Sequence, residues 1–142
     1  MQKLPDIFQK LARVKILHFE SQSLDGSQMD WNCSGTGETS VEQNGSLLTF
    51  RDRFRLDNGR LCRDDKQWLL EDGGLTFFHY REQAFRRIFT FCEQGGDIVC
   101  TQPYLCAPDC YSGGLAFDGD GIMLTIRIQG KRKNEVIRYV YR

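Results

Sequence analysis

The chain has 142 residues and carries 19 basic and 19 acidic side chains, so its formal net charge is zero. Nucleic acid is therefore not expected as a partner, because a charge-balanced chain offers no general attraction for a polyanion. Ten Phe, five Tyr and two Trp residues accompany fourteen Gly and only three Pro, which is typical of short strands joined by tight turns. These numbers predict one all-β domain over residues 1–142.

The N-terminal segment does not have the pattern of a targeting sequence. It is interrupted by Lys3, Asp6, Lys10, Arg13 and Lys15, and it contains no small-residue cleavage site. No later run is long and apolar enough to span a bilayer. We therefore expect a cytoplasmic protein without a membrane span, either a monomer or a small homo-oligomer.

Six cysteines are expected to be reduced thiols in that compartment. Their spacing contains no Cys-x-x-Cys pair and does not indicate a zinc site. We therefore predict neither a metal nor a cofactor. The six residues are Cys33, Cys62, Cys92, Cys100, Cys106 and Cys110.

A short amphipathic helix is predicted over residues 4–12, because four apolar residues recur at intervals of three and four around Pro5. From Val14 to Phe19 the period changes to two, which is typical of a strand. Nine further strands follow, separated by turn signals such as Asn44-Gly45. They are predicted at residues 31–42, 46–56, 60–70, 75–81, 84–93, 98–104, 110–117, 122–129 and 135–141.

The short and even spacing of the turns indicates an antiparallel meander. A sheet of so many strands tends to curl until its ends meet, because closure removes exposed edges. We predict a single antiparallel up-and-down barrel of about 8–10 strands, with the short N-terminal helix over one mouth. A flattened sandwich is the alternative that periodicity leaves open.

Alternation along the strand at 46–56 separates an apolar row from a basic row. The basic row is either the solvated outer face or the lining of a polar cavity. Acidic and basic residues of the next strand are expected to pair with it across the strands. The apolar row is Leu48, Phe50, Phe54 and Leu56, the basic row is Arg51, Arg53 and Arg55, and the residues of the next strand are Arg63, Asp64, Asp65 and Lys66.

The barrel interior is expected to contain Phe85, Phe89 and Phe91, which share a face by alternation. His79 lies on the face of apolar neighbours, where a lone His is more often a hydrogen-bonded core or rim residue than a ligand. We consider four residues as candidates for lining a cavity. They are Trp68, His79, Tyr139 and Tyr141.

Two segments carry the most distinctive motifs. Tyr104-Leu105-Cys106-Ala107-Pro108-Asp109-Cys110-Tyr111 is followed about twenty residues later by Gly130-Lys131-Arg132-Lys133-Asn134-Glu135. In order and spacing they resemble two signatures of the domain of unknown function 6314 family, and the segments GSLLTFRDRFRL and KQWLLEDGGLTFFHY resemble the middle of that family. The resemblance implies a calycin-like or lipocalin-like barrel, and it implies no assigned activity.

Six positions match the family signatures and four depart from them. The family's histidine is Tyr104 here, its proline is Lys131, and its Asp-Tyr pair is Asn134-Glu135. The matching residues are Cys106, Asp109, Tyr111, Gly130, Arg132 and Lys133.

These motifs predict a strand-end constellation of Tyr104, Cys106, Asp109, Tyr111, Arg132 and Lys133. In one interpretation Asp109 and Arg132 form a bidentate ion pair that ties strands together, with Tyr111 completing the hydrogen bonds. In the other, the two basic residues face a cavity mouth and bind an anionic ligand.

No common catalytic motif is present, and the sequence favours a protein that is not an enzyme. The first hypothesis is a barrel that binds a small, partly apolar ligand, with an anionic ligand as one version. The alternative is a protein-interaction or structural barrel with a filled interior, which contacts its partner through the basic row or the turn at 131–133. A third hypothesis is an enzyme with Cys106 or Cys110 as nucleophile and Asp109 or His79 nearby.

Overall fold

A computed structural model describes residues 3–142 of the protein. This part of the chain forms one short helix and one eleven-stranded antiparallel sheet. The elements are α1 (Lys3–Leu11), β1 (Ile16–Ser23), β2 (Cys33–Asn44), β3 (Leu47–Leu56), β4 (Leu61–Glu71), β5 (Gly74–Arg81), β6 (Ala84–Gln94), β7 (Asp97–Cys100), β8 (Tyr104–Cys106), β9 (Asp109–Asp118), β10 (Gly121–Gln129) and β11 (Asn134–Tyr141).

The strand order in the sheet is β7-β6-β5-β4-β3-β2-β1-β11-β10-β9-β8. Strands that are neighbours in the sheet are also consecutive in the chain, except at one junction where the first and last strands meet. The junction pairs the first strand with the last, from Leu17 opposite Tyr141 to Ser23 opposite Glu135. All pairings are antiparallel, and the sheet is curled as a half-barrel. The predicted all-β, up-and-down architecture with a short N-terminal helix is confirmed, whereas the likeness to calycins stays a prediction.

The two ends of the sheet come from one stretch of chain that changes its pairing partner. β7 pairs with β6, and β8 pairs with β9. The sequence predicts a single strand at 98–104, but Pro103 has no N–H with which to continue the ladder to β6. The last bond on that side runs from the Thr101 N–H to the Thr90 carbonyl at 3.5 Å.

The helix closes one end of the curled sheet. Beneath it lies an aromatic layer in which Trp68 contacts Phe77, with ring centroids 4.9 Å apart. Phe91 and Phe50 complete the layer around the same indole. The apolar residues that α1 buries on this layer are those of the predicted stripe, Leu4, Ile7, Phe8 and Leu11.

The arginine row of β3 lies on the outer face. Arg51 is half exposed and pairs with Glu42 at 3.4 Å, and Arg53 pairs with Asp65 at 2.9 Å. The pairing expected with the next strand is therefore formed by Asp65. Asp64 and Lys66, which were expected to pair in the same way, point inward instead.

A close approach of two strands depends on Gly37 of β2. A Cβ atom at this position would lie 2.1 Å from the Arg53 carbonyl oxygen and 2.6 Å from the Cβ of Phe54. The absence of a side chain lets Phe19 of β1 reach across β2 and stack on Phe54 at 4.9 Å. Gly37 therefore marks a place where β2 and β3 lie too close for a side chain.

The prediction that Phe85 shares the core face of Phe89 and Phe91 is wrong. The β5–β6 register shifts between Phe77 and Phe78, and this irregularity moves the residues beyond it to the other face. Phe85 therefore packs on the outer ring of Tyr80, with centroids 5.1 Å apart.

The turn between β5 and β6 has a backbone that its residues do not favour. Glu82 and Gln83 adopt φ angles of 51° and 67°. The next hairpin has the same signs at Gly95 and Gly96, with φ angles of 57° and 84°. Side chains in this region cost roughly 1–2 kcal/mol per residue, so the turn that follows Arg81 is strained.

We expect Gln83→Gly to raise the free energy of unfolding by about 0.5–1 kcal/mol, because relief of strain exceeds the added entropy of the unfolded chain. The reciprocal change Gly96→Gln should lower it by a similar or larger amount. Urea unfolding followed by circular dichroism measures both. Equal stability of the three proteins would show that neither turn is under strain.

Candidate functional site

The interior contains a buried lysine between two aspartates. Asp52 of β3 and Asp64 of β4 are directly opposite in the register, an arrangement that destabilises a sheet when the charges are not compensated. Lys66 resolves it, because its Nζ donates to Asp52 Oδ2 and to Asp64 Oδ2, both at 2.6 Å. The side chains of Lys66 and Asp52 are fully buried.

Two tyrosines of β11 complete this network from across the interior. The Tyr141 hydroxyl donates to Asp52 Oδ2 at 2.7 Å, and the Tyr139 hydroxyl donates to Asp64 Oδ2 at 2.6 Å. The Lys66 ammonium also lies 3.7 Å from the centroid of the Tyr139 ring, which is a cation–π contact. Strands that are not neighbours in the sheet are thereby tied together.

The network fixes the ionisation of its members. Burial of Lys66 works against its charge, but attraction from Asp64 and Asp52 outweighs this and raises its pKa above 10.5. Burial of Asp64 likewise opposes its charge, and Lys66 and His79 overcome it to hold the pKa below 3.8. Burial raises the pKa of both Tyr139 and Tyr141 well above 10. Lys66 and Asp64 therefore stay charged at neutral pH, and the two tyrosine hydroxyls stay protonated.

The network continues toward the open end of the barrel through His79 and Arg81. His79 Nε2 bonds to Asp64 Oδ1, and the Arg81 Nε–H donates to His79 Nδ1 at 3.3 Å. An Nδ1 atom that accepts a bond carries no proton, so the imidazole is the neutral Nε2–H tautomer. The Arg81 guanidinium carbon lies 5.1 Å from the centre of the Tyr111 ring.

The inner wall is partly exposed at this end. The Asp64 and His79 side chains are 16% and 20% exposed, whereas the inward-facing residues beside α1 are essentially inaccessible. The inward-facing residues of intermediate exposure here are Phe19, Cys33, Cys62, Asp64, His79, Arg81 and Ile137. The interior therefore has a filled half beside α1 and an accessible half opposite it.

The predicted strand-end constellation forms only in part. Asp109 pairs with Lys133 at 3.2 Å, and this pair replaces the ion pair expected with Arg132. Tyr104 and Tyr111 meet edge to face, with centroids 5.9 Å apart. Of the remaining members, Cys106 and Arg132 are exposed.

A loop at residues 24–32 docks beside this constellation. The Gln28 N–H donates to the Arg132 carbonyl at 2.8 Å. Glu135 is fully buried and accepts from the Ser23 hydroxyl at 2.5 Å and from the Ser27 hydroxyl. The two segments of the family signatures thus meet at the accessible end of the barrel.

The four candidate cavity-lining residues have different environments. Trp68 belongs to the filled half, where its Nε1 is buried without a partner. Tyr139 and Tyr141 serve the lysine network, and His79 lies at the border of the accessible half. Their role in a ligand site stays a prediction.

The third hypothesis places Asp109 or His79 near the cysteine, and Asp109 is paired with Lys133. Both ring nitrogens of His79 are engaged, by Asp64 and Arg81. Among residues 3–142, no group of three or more His, Cys, Asp and Glu side chains is arranged to hold a metal ion. The helix in the same part of the chain, nine residues long, does not have the length to cross a bilayer.

Four residues of the site do not appear among the candidates from the sequence. Asp52 lies between Phe50 and Phe54 on the apolar face of its strand, and Arg81 shares the face of Phe77 and His79. Strict alternation along the strand would identify them, because a charged residue spaced by two or four positions from an apolar row lies on the same inward face. Asp64 and Lys66 are found in the same way, in step with Trp68.

Removal of the buried ammonium should destabilise the folded protein strongly. We expect Lys66→Met to lower the free energy of unfolding by about 3–5 kcal/mol, because two buried carboxylates are left uncompensated. The outer-face control Arg53→Met should cost less than about 1 kcal/mol. Urea denaturation of both variants measures the difference, and similar costs would mean that the network contributes little.

The lowered pKa of Asp64 predicts acid sensitivity. In the unfolded chain this carboxyl binds a proton near its ordinary value of 3.8, whereas the folded protein resists protonation. The stabilisation is thus present above that pH and is lost as the pH falls below it. The unfolding free energy should drop between pH 5 and pH 3, and Asp64→Asn should reduce this drop. An unchanged drop in the variant would assign acid sensitivity to other groups.

Comparison with known proteins places the chain in a family and adds two distant structural similarities. A de novo designed fluorescence-activating β-barrel superimposes with a TM-score of 0.46 at 9% identity, covering 96% of this chain and 98% of its own. A redesigned β-barrel bound to DFHBI gives a TM-score of 0.47 at 8% identity, with 95% and 99% covered. No curated protein matches the chain. Residues 18–142, which include both signatures and the whole lysine network, match one family throughout, and the protein belongs to the Family of unknown function (DUF6314).

Proposed function

We infer that this protein binds a small, partly apolar molecule in the accessible half of its barrel. The observation that carries the proposal is the contrast between the two halves of the interior. Side chains beside α1 are fully buried by one another, whereas several inward-facing side chains at the other end, among them Phe19, His79 and Ile137, are partly exposed. Inner surface that the protein does not cover is available to a ligand.

The chemistry of this wall suits a ligand with a large apolar part. Phe19 and Ile137 are partly buried against the core, and Tyr111 and Ile126 form buried wall nearby. Covering such surface is worth about 25 cal/mol for each Å² removed from water. Polar groups reach this end at His79 and its neighbours on one wall and at Glu135 with Ser23 and Ser27 on another. A few polar groups in an apolar wall are usual for a small-molecule site.

The alternative function has less support. A structural or interaction barrel would have a filled interior, and the partly exposed inward-facing residues at the open end count against this alternative. Of its two expected contact surfaces, the outer arginine row is partly neutralised by Glu42 and Asp65. In the other, the turn at 131–133, Lys133 is paired with Asp109. A cysteine-dependent enzyme also has less support, because both candidate partners are engaged, His79 by Asp64 and Arg81 and Asp109 by Lys133.

We expect the neutral apolar dye N-phenyl-1-naphthylamine to bind saturably, with increased fluorescence. Ile137→Trp should weaken binding about tenfold or more, because the added ring occupies the accessible half. Val140→Trp is the matched control, since Val140 lies on the same strand and faces outward. Native mass spectrometry of protein purified from cells tests for a retained ligand.

Two results would contradict the proposal. One is the absence of saturable dye binding to the unaltered protein. The other is equal binding to Ile137→Trp and to the unaltered protein, with thermal unfolding confirming that the variant is folded.

A further inference from the structure

Arg81 is a cation inside the barrel that lacks a carboxylate partner. It has the inward orientation of Phe77 and His79 on β5, and its exposure is intermediate. Its described contacts are the bond from Nε to His79 Nδ1 and the face of the Tyr111 ring. Within residues 3–142, no Asp or Glu oxygen lies within salt-bridge distance of its guanidinium.

The carboxylate on the other side of His79 is not available to Arg81. Asp64 accepts from His79 at Oδ1, and from both Lys66 and Tyr139 at Oδ2. Of the acidic residues in the signature motifs, Asp109 is paired with Lys133 and Glu135 accepts from Ser23 and Ser27. Arg81 is therefore left unpaired because the acidic side chains around it are already bound.

The bond to His79 occupies Nε and leaves the edge of the guanidinium with the two terminal nitrogens free to bind an anion. Nε is engaged, so the side-on mode that uses Nε and one terminal nitrogen is blocked. The two terminal nitrogens remain, and together they present a planar pair of donors that fits both oxygens of a carboxylate. His79, whose tautomer Asp64 sets, is thus a positioning residue for Arg81.

The charges around Arg81 favour an anion with a single charge. Asp52 and Asp64 against Lys66 leave the buried network with one net negative charge. Arg81 brings the net charge of these four groups to zero, so each charge on a bound anion adds to the negative side. Both kinds of anion gain the paired hydrogen bonds, but a dianion such as a phosphate monoester meets stronger repulsion from Asp64 than a monoanion does.

We propose that the ligand of this barrel is a monocarboxylate with an apolar body, whose carboxylate binds end-on to the terminal nitrogens of Arg81 while its body lies against the Tyr111 side of the accessible half. This inference rests on the proposed function, because it requires that the accessible half takes up a ligand. It adds the class of the ligand and the residue that recognises it. Neither family signature contains Arg81.

Three ligands of equal chain length test the proposal by isothermal titration calorimetry: octanoate, 1-octanol and octyl phosphate. The unaltered protein should bind octanoate about tenfold or more tightly than the other two, since hydrogen bonds to charged groups are worth about 1.5–3 kcal/mol. Arg81→Gln should abolish the preference and leave the affinity for octanol unchanged. Arg63→Gln, an exposed arginine on the outer face of β4, should change neither affinity.

Arg81→Lys provides a second variant if Arg81→Gln does not fold. It keeps the charge and removes the planar pair of donors. The preference for octanoate over octanol should therefore fall severalfold but stay above that of Arg81→Gln. Equal binding of octanoate and octanol by the unaltered protein overturns the inference and leaves the proposed function standing. Failure of all three ligands and of the neutral dye overturns both. A preference that persists in Arg81→Gln assigns recognition to another residue and overturns the inference.

Discussion

The ammonium of Lys66 is the group on which the arrangement of the interior depends. Two facing carboxylates in a sheet repel each other, and burial makes that repulsion stronger. With the ammonium between them, each aspartate can also accept a tyrosine hydroxyl from the far wall. One cation therefore ties β3, β4 and β11 together, and it does so at the border between the filled and accessible halves. Because Asp64 already accepts from Lys66, His79 and Tyr139, it does not form an ion pair with Arg81.

Much of the fold could be predicted from the sequence because its signals are local. Turn residues marked the hairpins, and the apolar spacing around Pro5 marked the helix. The errors came from backbone events that alternation does not report. A shifted register turned Phe85 outward, and Pro103 divided one predicted strand into two.

The site was harder to predict because its residues are far apart in the chain and resemble surface residues. Asp64 and Lys66 adjoin charged neighbours that do face solvent. Only their spacing of four and two residues from Trp68 indicates that they face the interior with it. The partner of Asp109 was misassigned for a related reason, since Arg132 and Lys133 are consecutive and the backbone decides which one turns inward. Distances across a barrel, such as that from Tyr139 to Asp64, depend on curvature that no short motif encodes.

The change of partner between β7 and β8 has a mechanical consequence for the wall. Where one segment leaves β6 before joining β9, a slot of about 340 Å³ remains, lined in part by Phe89, Tyr104 and Leu105. Across it the strands are held by side-chain contact, as where Phe89 packs over the bare backbone of Gly113. Such a seam separates at lower free energy than a continuous ladder. The wall is therefore expected to open first at this seam, whose lining includes no member of the lysine network.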